Sequence, residues 1–461
     1  MATSDPNAHS FVWMFLTGAT EPVVAGALTP AADGARGLAF RYANRYLERP
    51  DAVSIGPDLP LTDETFPPVH QHHMPSSIRD AMPDTWGRRA INRELGMGVD
   101  DELPDVRYML ESGSDRVGAI DFQASPVTYL PRGGGGALEA VADGAVLVDE
   151  DEAGPQLTRA VRNALSAAGG SQPKAYVQQE GREWLAKLQT PYDRQSPLVK
   201  AERAALHIAR HAGIDVPDAR LVKVDGQRLA LLTERFDRVP IDGAEGFGRR
   251  MVLSGMTIAD DHALSGASYP NLVDKARKVS AEAPEMGREL FRRLAFRISM
   301  RIDDDHLRNV AFFWDGKHAA FTPAFDLSPD LAAKRPFGLT DLGDGTREFS
   351  LAALIGQHRH YHLSRKEAES IADEMVGVVI DHRLDAAEMA LMTERERSML
   401  VAQTATSELR GTRPAVSISE RHRRHPELKG LLLGNGPTSA RPVGGSGAPT
   451  TARERHDPQL E

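Results

Sequence analysis

Three pairs of the form acidic residue then glycine, Glu180-Gly181, Asp225-Gly226 and Asp315-Gly316, each lie between two apolar runs. Tight two-residue hairpin turns need positive φ, which glycine adopts without steric penalty. Each pair therefore predicts a turn between two strands. The first joins Ala175-Tyr-Val177 to Trp184-Leu-Ala-Lys-Leu188, and the second joins Arg220-Leu-Val-Lys-Val224 to Leu229-Ala-Leu-Leu-Thr233. The third leads into Phe325-Asp326. Helical patterns separate these hairpins. One helix is expected over Ala201–Ala212, stopped by Gly213. Another is expected where Leu290, Leu294, Ile298 and Ile302 recur at every fourth position beside Phe291 and Ala295. That is a single apolar stripe, hence a helix with one buried face. It runs into Asp303-Asp304-Asp305.

The segment from about residue 10 to 125 mixes strand-like and helical runs. Phe11-Val-Trp-Met-Phe-Leu16 and Arg116-Val-Gly-Ala-Ile-Asp-Phe122 read as strands. Ser76 to Leu95 reads as one helical stretch, with Ser76 or Ser77 as N-cap and Gly96 as stop. Pro131-Arg-Gly-Gly-Gly-Gly136 is a break. The expected division is 1–130, 131–240 and 241–411, followed by a Gly-, Pro-, Ser- and Arg-rich tail, 412–461, expected to be disordered.

Composition removes several chemistries. The 461 residues include no cysteine, which excludes disulfides, thiolate zinc sites and a cysteine nucleophile. A formal net charge of −10 argues against a broad nucleic-acid grip, which needs clustered Lys and Arg. No stretch approaches the roughly 18 apolar residues of a membrane span. The start, Met1-Ala-Thr-Ser-Asp-Pro, lacks the basic-then-apolar pattern of a signal peptide, so the expected location is the cytoplasm. His70-Gln-His-His73 reads as a solvated loop and Arg421-His-Arg-Arg-His425 as a basic tail segment.

The remaining motifs line up in the order that phosphoryl transfer needs: a phosphate cover, a lysine, metal-holding groups and an acceptor for a hydroxyl proton. Gly169-Gly170-Ser171 precedes the first hairpin, and glycines let backbone N–H groups approach phosphate oxygens. Taken alone it is equally a bare turn. Lys187 sits among apolar residues on a strand, like the lysine of Val-Ala-Ile-Lys. Alone it also fits a solvated strand face, and Glu202 on the next helix is the partner that would orient it toward phosphates. Thr233-Glu-Arg-Phe-Asp237 ends a strand where backbone groups of Glu234 and Phe236 would meet a purine edge and Asp237 a ribose. Its bland reading is an ordinary strand exit. Most specific is Asp304-Asp-His-Leu-Arg-Asn309, which has the Asp-x-x-x-x-Asn spacing of kinase catalytic loops. Such a spacing lets an aspartate face a hydroxyl while the asparagine turns back to a metal. Asp326 is the candidate metal carboxylate.

Gly169-Gly-Ser-Gln-Pro-Lys174, Trp184-Leu-Ala-Lys187, Glu234-Arg-Phe-Asp-Arg238, Asp304-Asp-His-Leu-Arg-Asn309 and Thr322-Pro-Ala-Phe-Asp-Leu327 together resemble the HipA family. So do Met82-Pro-Asp-Thr-Trp-Gly-Arg-Arg89 and Asp115-Arg-Val-Gly118. The resemblance spans roughly residues 10 to 405. It implies an α+β, HipA-like kinase fold, with an N-terminal α/β subdomain and a mainly helical C-terminal lobe. It implies a serine/threonine protein kinase that uses ATP and Mg²⁺ and is the toxin of a type II toxin–antitoxin pair. The implied partners are a HipB-like helix-turn-helix antitoxin, operator DNA through that antitoxin, and an aminoacyl-tRNA synthetase as substrate. Carried over by motif, Asp304 is the base, Lys187 contacts phosphates, Asn309 and Asp326 hold metal, and His306 supports the loop. Arg308 stands where the family often has lysine. The family's autophosphorylated serine would lie seven residues before Lys174, where this chain has Ala167, with Ser166 and Ser171 nearby. The alternatives are a kinase-fold protein that binds nucleotide and antitoxin without transfer, and a small-molecule kinase.

Overall fold

The computed structural model describes residues 9–404, apart from 32–36, 70–72, 99, 134–137, 150–156, 168–171, 190–192, 194, 226–227, 245, 262–266 and 333–337. Gly169, Gly170, Ser171, most of His70–His73, the basic cluster 421–425 and the whole tail expected to be disordered lie outside the described residues.

The chain opens with β1 (Ser10–Phe15), β2 (Pro22–Pro30), β3 (Leu38–Tyr42), helix α1 (Asn44–Leu47) and β4 (Thr65–Phe66). Helices α2 (Ser76–Arg79), α3 (Thr85–Glu94) and α4 (Asp105–Glu111) follow, and then β5 (Ile120–Gln123). The strands form an antiparallel sheet in the order β4-β3-β2-β1-β5. The aromatic and β-branched run of β1 suits a central strand, where both faces are buried. Two expectations change here. The single helix over 76–95 is two helices, because Pro83 interrupts the first and the Asp84 carboxylate caps the second, accepting from Gly87 N at 2.9 Å. The strand expected over 116–122 begins only at Ile120, because Arg116 and Gly118 belong to a loop that bonds elsewhere.

Helices α5 (Leu138–Asp149) and α6 (Arg159–Ser166) lead to β6 (Lys174–Gln179) and β7 (Arg182–Leu188), then α7 (Leu198–His211), β8 (Ala219–Lys223) and β9 (Leu229–Glu234). The sheet order is β6-β7-β9-β8, all antiparallel. The first turn holds Glu180 and Gly181 at positive φ, as the acidic-Gly signal requires. Side chains alternate across a strand. Trp184, Ala186 and Leu188 of β7 and Ala230 and Leu232 of β9 face a core shared with α3, α5 and α6. The intervening Lys187 and Leu231 must then face the other side, and Leu231 joins the core that holds α7.

The rest comprises β10 (Arg238–Pro240), β11 (Phe247–Arg249), β12 (Met251–Ser254), α8 (Gly255–Ala259), α9 (Tyr269–Val279) and α10 (Ala283–Met300). Next come β13 (Ala311–Trp314), β14 (Ala319–Phe321), α11 (Leu351–Gly356), α12 (Arg365–Met389) and α13 (Glu394–Gln403). The apolar stripe of α10 is buried as its spacing predicts. The helix stops at Arg301, in the left-handed region at φ 57°. Strand β13 turns into β14 through Gly316, and also pairs with β12.

Helix α10 crosses the chain at 358–361 so closely that a Cβ on Gly287 would overlap the Tyr361 carbonyl oxygen. Gly287→Ala is therefore expected to lower stability by about 1–3 kcal/mol, read as a drop in Tm with unchanged far-UV circular dichroism.

Candidate active site

Lys187 is the hub. Its strand alternation aims it at α7, where Glu202 occupies the buried face of the helix. The ammonium donates to Glu202 Oε2 at 2.6 Å and Oε1 at 2.7 Å, and to Asp326 Oδ1 at 2.5 Å. Three N–H donors thus meet three carboxylate oxygens. Burial alone would push the Lys187 pKa down, but Asp326 and Glu202 outweigh it and hold it above the ordinary lysine value. Burial likewise opposes ionisation of Asp326, yet Lys187, with Lys174 and Arg297 beyond it, keeps that carboxyl well below the usual carboxylate range. Ser328 Oγ donates to Glu202 Oε2 at 2.7 Å and fixes the glutamate from a third direction. Asp326 sits at φ 53°, a conformation aspartate tolerates better than most residues.

The second half of the site is the loop after α10. The Asp304 side chain is about half exposed, at 51 %. Its main-chain carbonyl accepts from Asn309 Nδ2 at 3.0 Å and from Arg297 Nη2. His306 Nε2 lies 3.4 Å from Asp304 Oδ1. Asp305 points the other way and is buried. Its carboxylate accepts from the Leu339 and Thr340 amides at 2.6 and 3.4 Å, and Tyr269 and Thr340 hydroxyls donate to its carbonyl. Asp304 is thus the one of this adjacent pair with a solvent-facing carboxylate. Asn309 and Phe325 line one small cavity with Arg297, which brings the loop beside the Asp326 segment.

The expected purine-edge segment divides. Glu234 N–H is committed to the Asp218 carbonyl at 2.8 Å and its side chain to Arg182 at 3.0 Å, which leaves the Glu234 carbonyl. The Phe236 ring packs on Phe325 and Phe313, with centroids 5.7 and 5.8 Å apart, so it stands next to Asp326. Asp237 is a correction. It is 3 % exposed and its oxygens accept from Gly118 N at 2.9 Å, Arg235 Nε and Nη2 at 3.0 and 2.9 Å, and Arg238 Nη1 at 2.7 Å. A carboxylate so saturated has no face left for a ribose.

Sequence reasoning passed over Lys174 as a site residue. It pairs across the sheet with Lys187, is buried, and faces both Asp326 and Asp84. Its only signal was its place at the end of the glycine motif. Ser166 ends α6 fully buried, its Oγ accepting from Gly113 N at 3.2 Å. Ser171 and the two glycines before it lie outside the described residues.

The donor set is hard: a carboxylate on Asp326 and a carboxamide on Asn309. That suits Mg²⁺, which takes few protein oxygens and completes its octahedron with waters and phosphates. Among the described residues, no group of three His, Asp or Glu is arranged as a metal cage.

Residues 166–383 match the model of the HipA-like C-terminal domain and residues 19–123 that of the HipA N-terminal domain. The chain belongs to the HipA family. Its fold is like that of Shewanella oneidensis MR-1 HipA, solved with HipB and operator DNA, at TM-score 0.63 and 18% identity over 89% of this chain and 97% of that one. A Helicobacter pylori proinflammatory kinase, CtkA, gives TM-score 0.41 and 12% identity over 57% of this chain and 94% of that one. The Sinorhizobium fredii protein named "Putative kinase Y4dM" is 30% identical over 161 residues, 32% of this chain. The match spans 37% of that relative's length.

Asp237 gives a pH test. Burial raises the pKa of its carboxyl, but Arg235 and Arg238 outweigh that and hold it far below the ordinary 3.8. A depressed folded-state pKa adds stability that is complete above the unfolded value and lost as pH falls. The Tm difference between wild type and Asp237→Asn is therefore expected to be large at pH 7 and to shrink as the melts are taken below pH 3.8.

Proposed function

We propose that this chain is an ATP- and Mg²⁺-dependent serine/threonine protein kinase. In this reading it is the toxin of a type II toxin–antitoxin pair, acts in the cytoplasm, and phosphorylates an aminoacyl-tRNA synthetase to arrest translation. Its partner is a HipB-like helix-turn-helix antitoxin, through which it reaches operator DNA. The observation that carries the proposal is the buried Lys187–Glu202 pair bonded to the partly exposed Asp326, beside a loop whose Asp304 carboxylate faces solvent. Family membership and the fold shared with a HipA crystallised with HipB and operator DNA support the partner. Among the described residues no helix is long and apolar enough to cross a membrane.

In this reading Lys187 Nζ neutralises the α- and β-phosphate oxygens, and Glu202 keeps it aimed. The Glu234 carbonyl and the Phe236 N–H meet the purine edge. Asn309 and Asp326 would hold Mg²⁺, which supplies charge neutralisation on the phosphate oxygens. Asp304 accepts the proton of the substrate hydroxyl while that oxygen bonds to the γ-phosphorus and the bond to the ADP oxygen breaks. His306, beside the Asp304 carboxylate, holds the base in place.

Purified wild type and Asp304→Asn are incubated with γ-labelled ATP and a panel of aminoacyl-tRNA synthetases. The expected result is label on a serine or threonine of one synthetase with wild type only. The variant should be slower by roughly 10²–10⁴-fold with ATP affinity retained. Equal rates would remove Asp304 as the base. ATP binding without labelling of any synthetase would remove the proposed substrate.

A further inference from the structure

The loop carrying Asp115-Arg-Val-Gly118 precedes β5 in the N-terminal sheet, more than 110 residues from the strand exit at Glu234–Arg238. The two are nonetheless locked together by charge. Asp115 Oδ1 accepts from Arg235 Nη1 and Arg238 Nη2, both at 2.7 Å. The Arg116 carbonyl accepts from Arg235 Nη2 at 3.1 Å and Arg238 Nη2 at 2.8 Å. In return, Gly118 N–H donates to Asp237 at 2.9 Å. Arg249 adds a bond to the Ser114 carbonyl at 3.0 Å. The Arg235 guanidinium also lies 3.6 Å over the Tyr176 ring of β6. Residues 235, 237 and 238 are therefore each held by the N-terminal loop, while Phe236 between them points to Phe325.

We infer that Asp115 is a positioning residue for nucleotide binding. Through Arg235 and Arg238 it sets the backbone of Glu234–Phe236 against the purine edge, which makes the N-terminal sheet part of the nucleotide site. This rests on the nucleotide-binding reading above. Charge balance holds the joint together. Among the described residues, Asp115 and Asp237 are the carboxylates bonded to Arg235 and Arg238, and Arg249 faces Asp115 and Arg238 as a third cation. Removing the Asp115 charge leaves Asp237 as the carboxylate bonded to both guanidiniums, with the Glu183 carboxylate facing them at longer range. Like charges in a low-dielectric site repel, so the Arg235 and Arg238 backbone is expected to move, and Phe236 with it. Hydrogen bonds hold over a narrow range of distance and angle, so a shift of an ångström or less in the groups facing the purine edge weakens binding.

The test measures ATP affinity by isothermal titration, KM and kcat for ATP, and Tm for four full-length proteins: wild type, Asp115→Asn, Asp115→Glu and Tyr42→Phe. Tyr42, on β3 of the same N-terminal sheet, donates to the Leu59 carbonyl at 2.8 Å, far in the chain from Asp115, and serves as a purely destabilising control. Asp115→Asn is expected to weaken ATP binding and raise its KM by about tenfold, with kcat changed by less than about threefold. Asp115→Glu should recover most of that loss, and Tyr42→Phe should lower Tm without moving KM. If Asp115→Asn is too unstable to assay, Arg238→Gln, which removes one of the two bridges, is expected to raise KM in the same direction. Unchanged ATP affinity in the folded Asp115→Asn and Arg238→Gln variants overturns the inference. So does a KM rise of equal size in Tyr42→Phe. Failure of wild type itself to bind ATP would instead overturn the nucleotide reading on which the inference rests.

Discussion

A buried ammonium shared by two carboxylates holds the three parts of the site in register. Lys187 comes from a sheet strand, Glu202 from α7, and Asp326 from the chain leaving β14. The strand and α7 follow one another in the chain, whereas Asp326 lies 139 residues beyond Lys187. A lysine taken out of water is costly unless its charge is answered at once, and each carboxylate is equally costly without the lysine. The cluster therefore has one arrangement in which all its members are satisfied. Net stabilisation from such a pair is small, since desolvation offsets most of the attraction. What it provides is specificity of placement: sheet, helix and loop have one mutual position that leaves no buried charge unanswered. Ser328 narrows that choice by occupying a Glu202 oxygen already shared with Lys187.

The same device recurs at the joint between the N-terminal sheet and the β6–β9 sheet. The apolar interior is divided into two cores, one around α7, α10 and the N-terminal sheet and one under α3, α5 and α6. Arginine–aspartate bridges cross that joint, from Arg235 and Arg238 to Asp115, and Asp237 ties the two arginines together behind them. An apolar joint would tolerate sliding, because burial is non-directional. Guanidinium bonds to Asp115 and the Arg116 carbonyl do not tolerate it, because the guanidinium is planar and its donors point in fixed directions. Arg235 is buried, yet its proton is held more tightly than in free arginine because Asp115 and Asp237 outweigh the cost of burial. The boundary is built to hold an angle and a register.

Much of this was readable locally. The acidic-glycine turns mark hairpins because only a few residues accept positive φ, and the period-four stripe marks α10 because a buried helix face needs it. The alternation in Trp184-Leu-Ala-Lys-Leu188 puts Lys187 on the face opposite Trp184 and Ala186, but solvent or a helix could have met that face, and Glu202 on α7 is what meets it. Other features were not legible. The break at Pro83 competed with a helical pattern on both sides, and a cap at Asp84 decided it. Pairing of β12 with β13 joins segments nearly 60 residues apart, and nothing in Met251–Ser254 names its partner. Asp237 was assigned to a ligand because it follows a strand. Its true neighbours, Gly118 and the arginines, include a group 119 residues away that no local pattern reveals. Long-range ion pairs are set by tertiary placement, and a single sequence displays only the residues able to make them.

The aspartates at 304 and 305 show how environment divides chemically identical groups. Asp305 is buried, and burial raises its pKa even though the Leu339 amide and Arg297 pull the other way. It is spent on holding the segment 338–340 against the loop, where a Cβ on Gly338 would already crowd its carboxylate. Asp304 has its backbone pinned by Asn309 and Arg297 while its carboxylate stays in water. A proton acceptor needs both properties: a fixed main chain, so that the oxygen is presented in one place, and an oxygen whose lone pairs are not consumed by the protein. Turning Asp305 inward is what allows Asp304 to remain outward, because adjacent residues in an extended loop present opposite faces. Carboxylates are unfavourable at a helix C-terminus, and here two of them serve instead as a structural anchor and a chemically available carboxylate placed one residue apart.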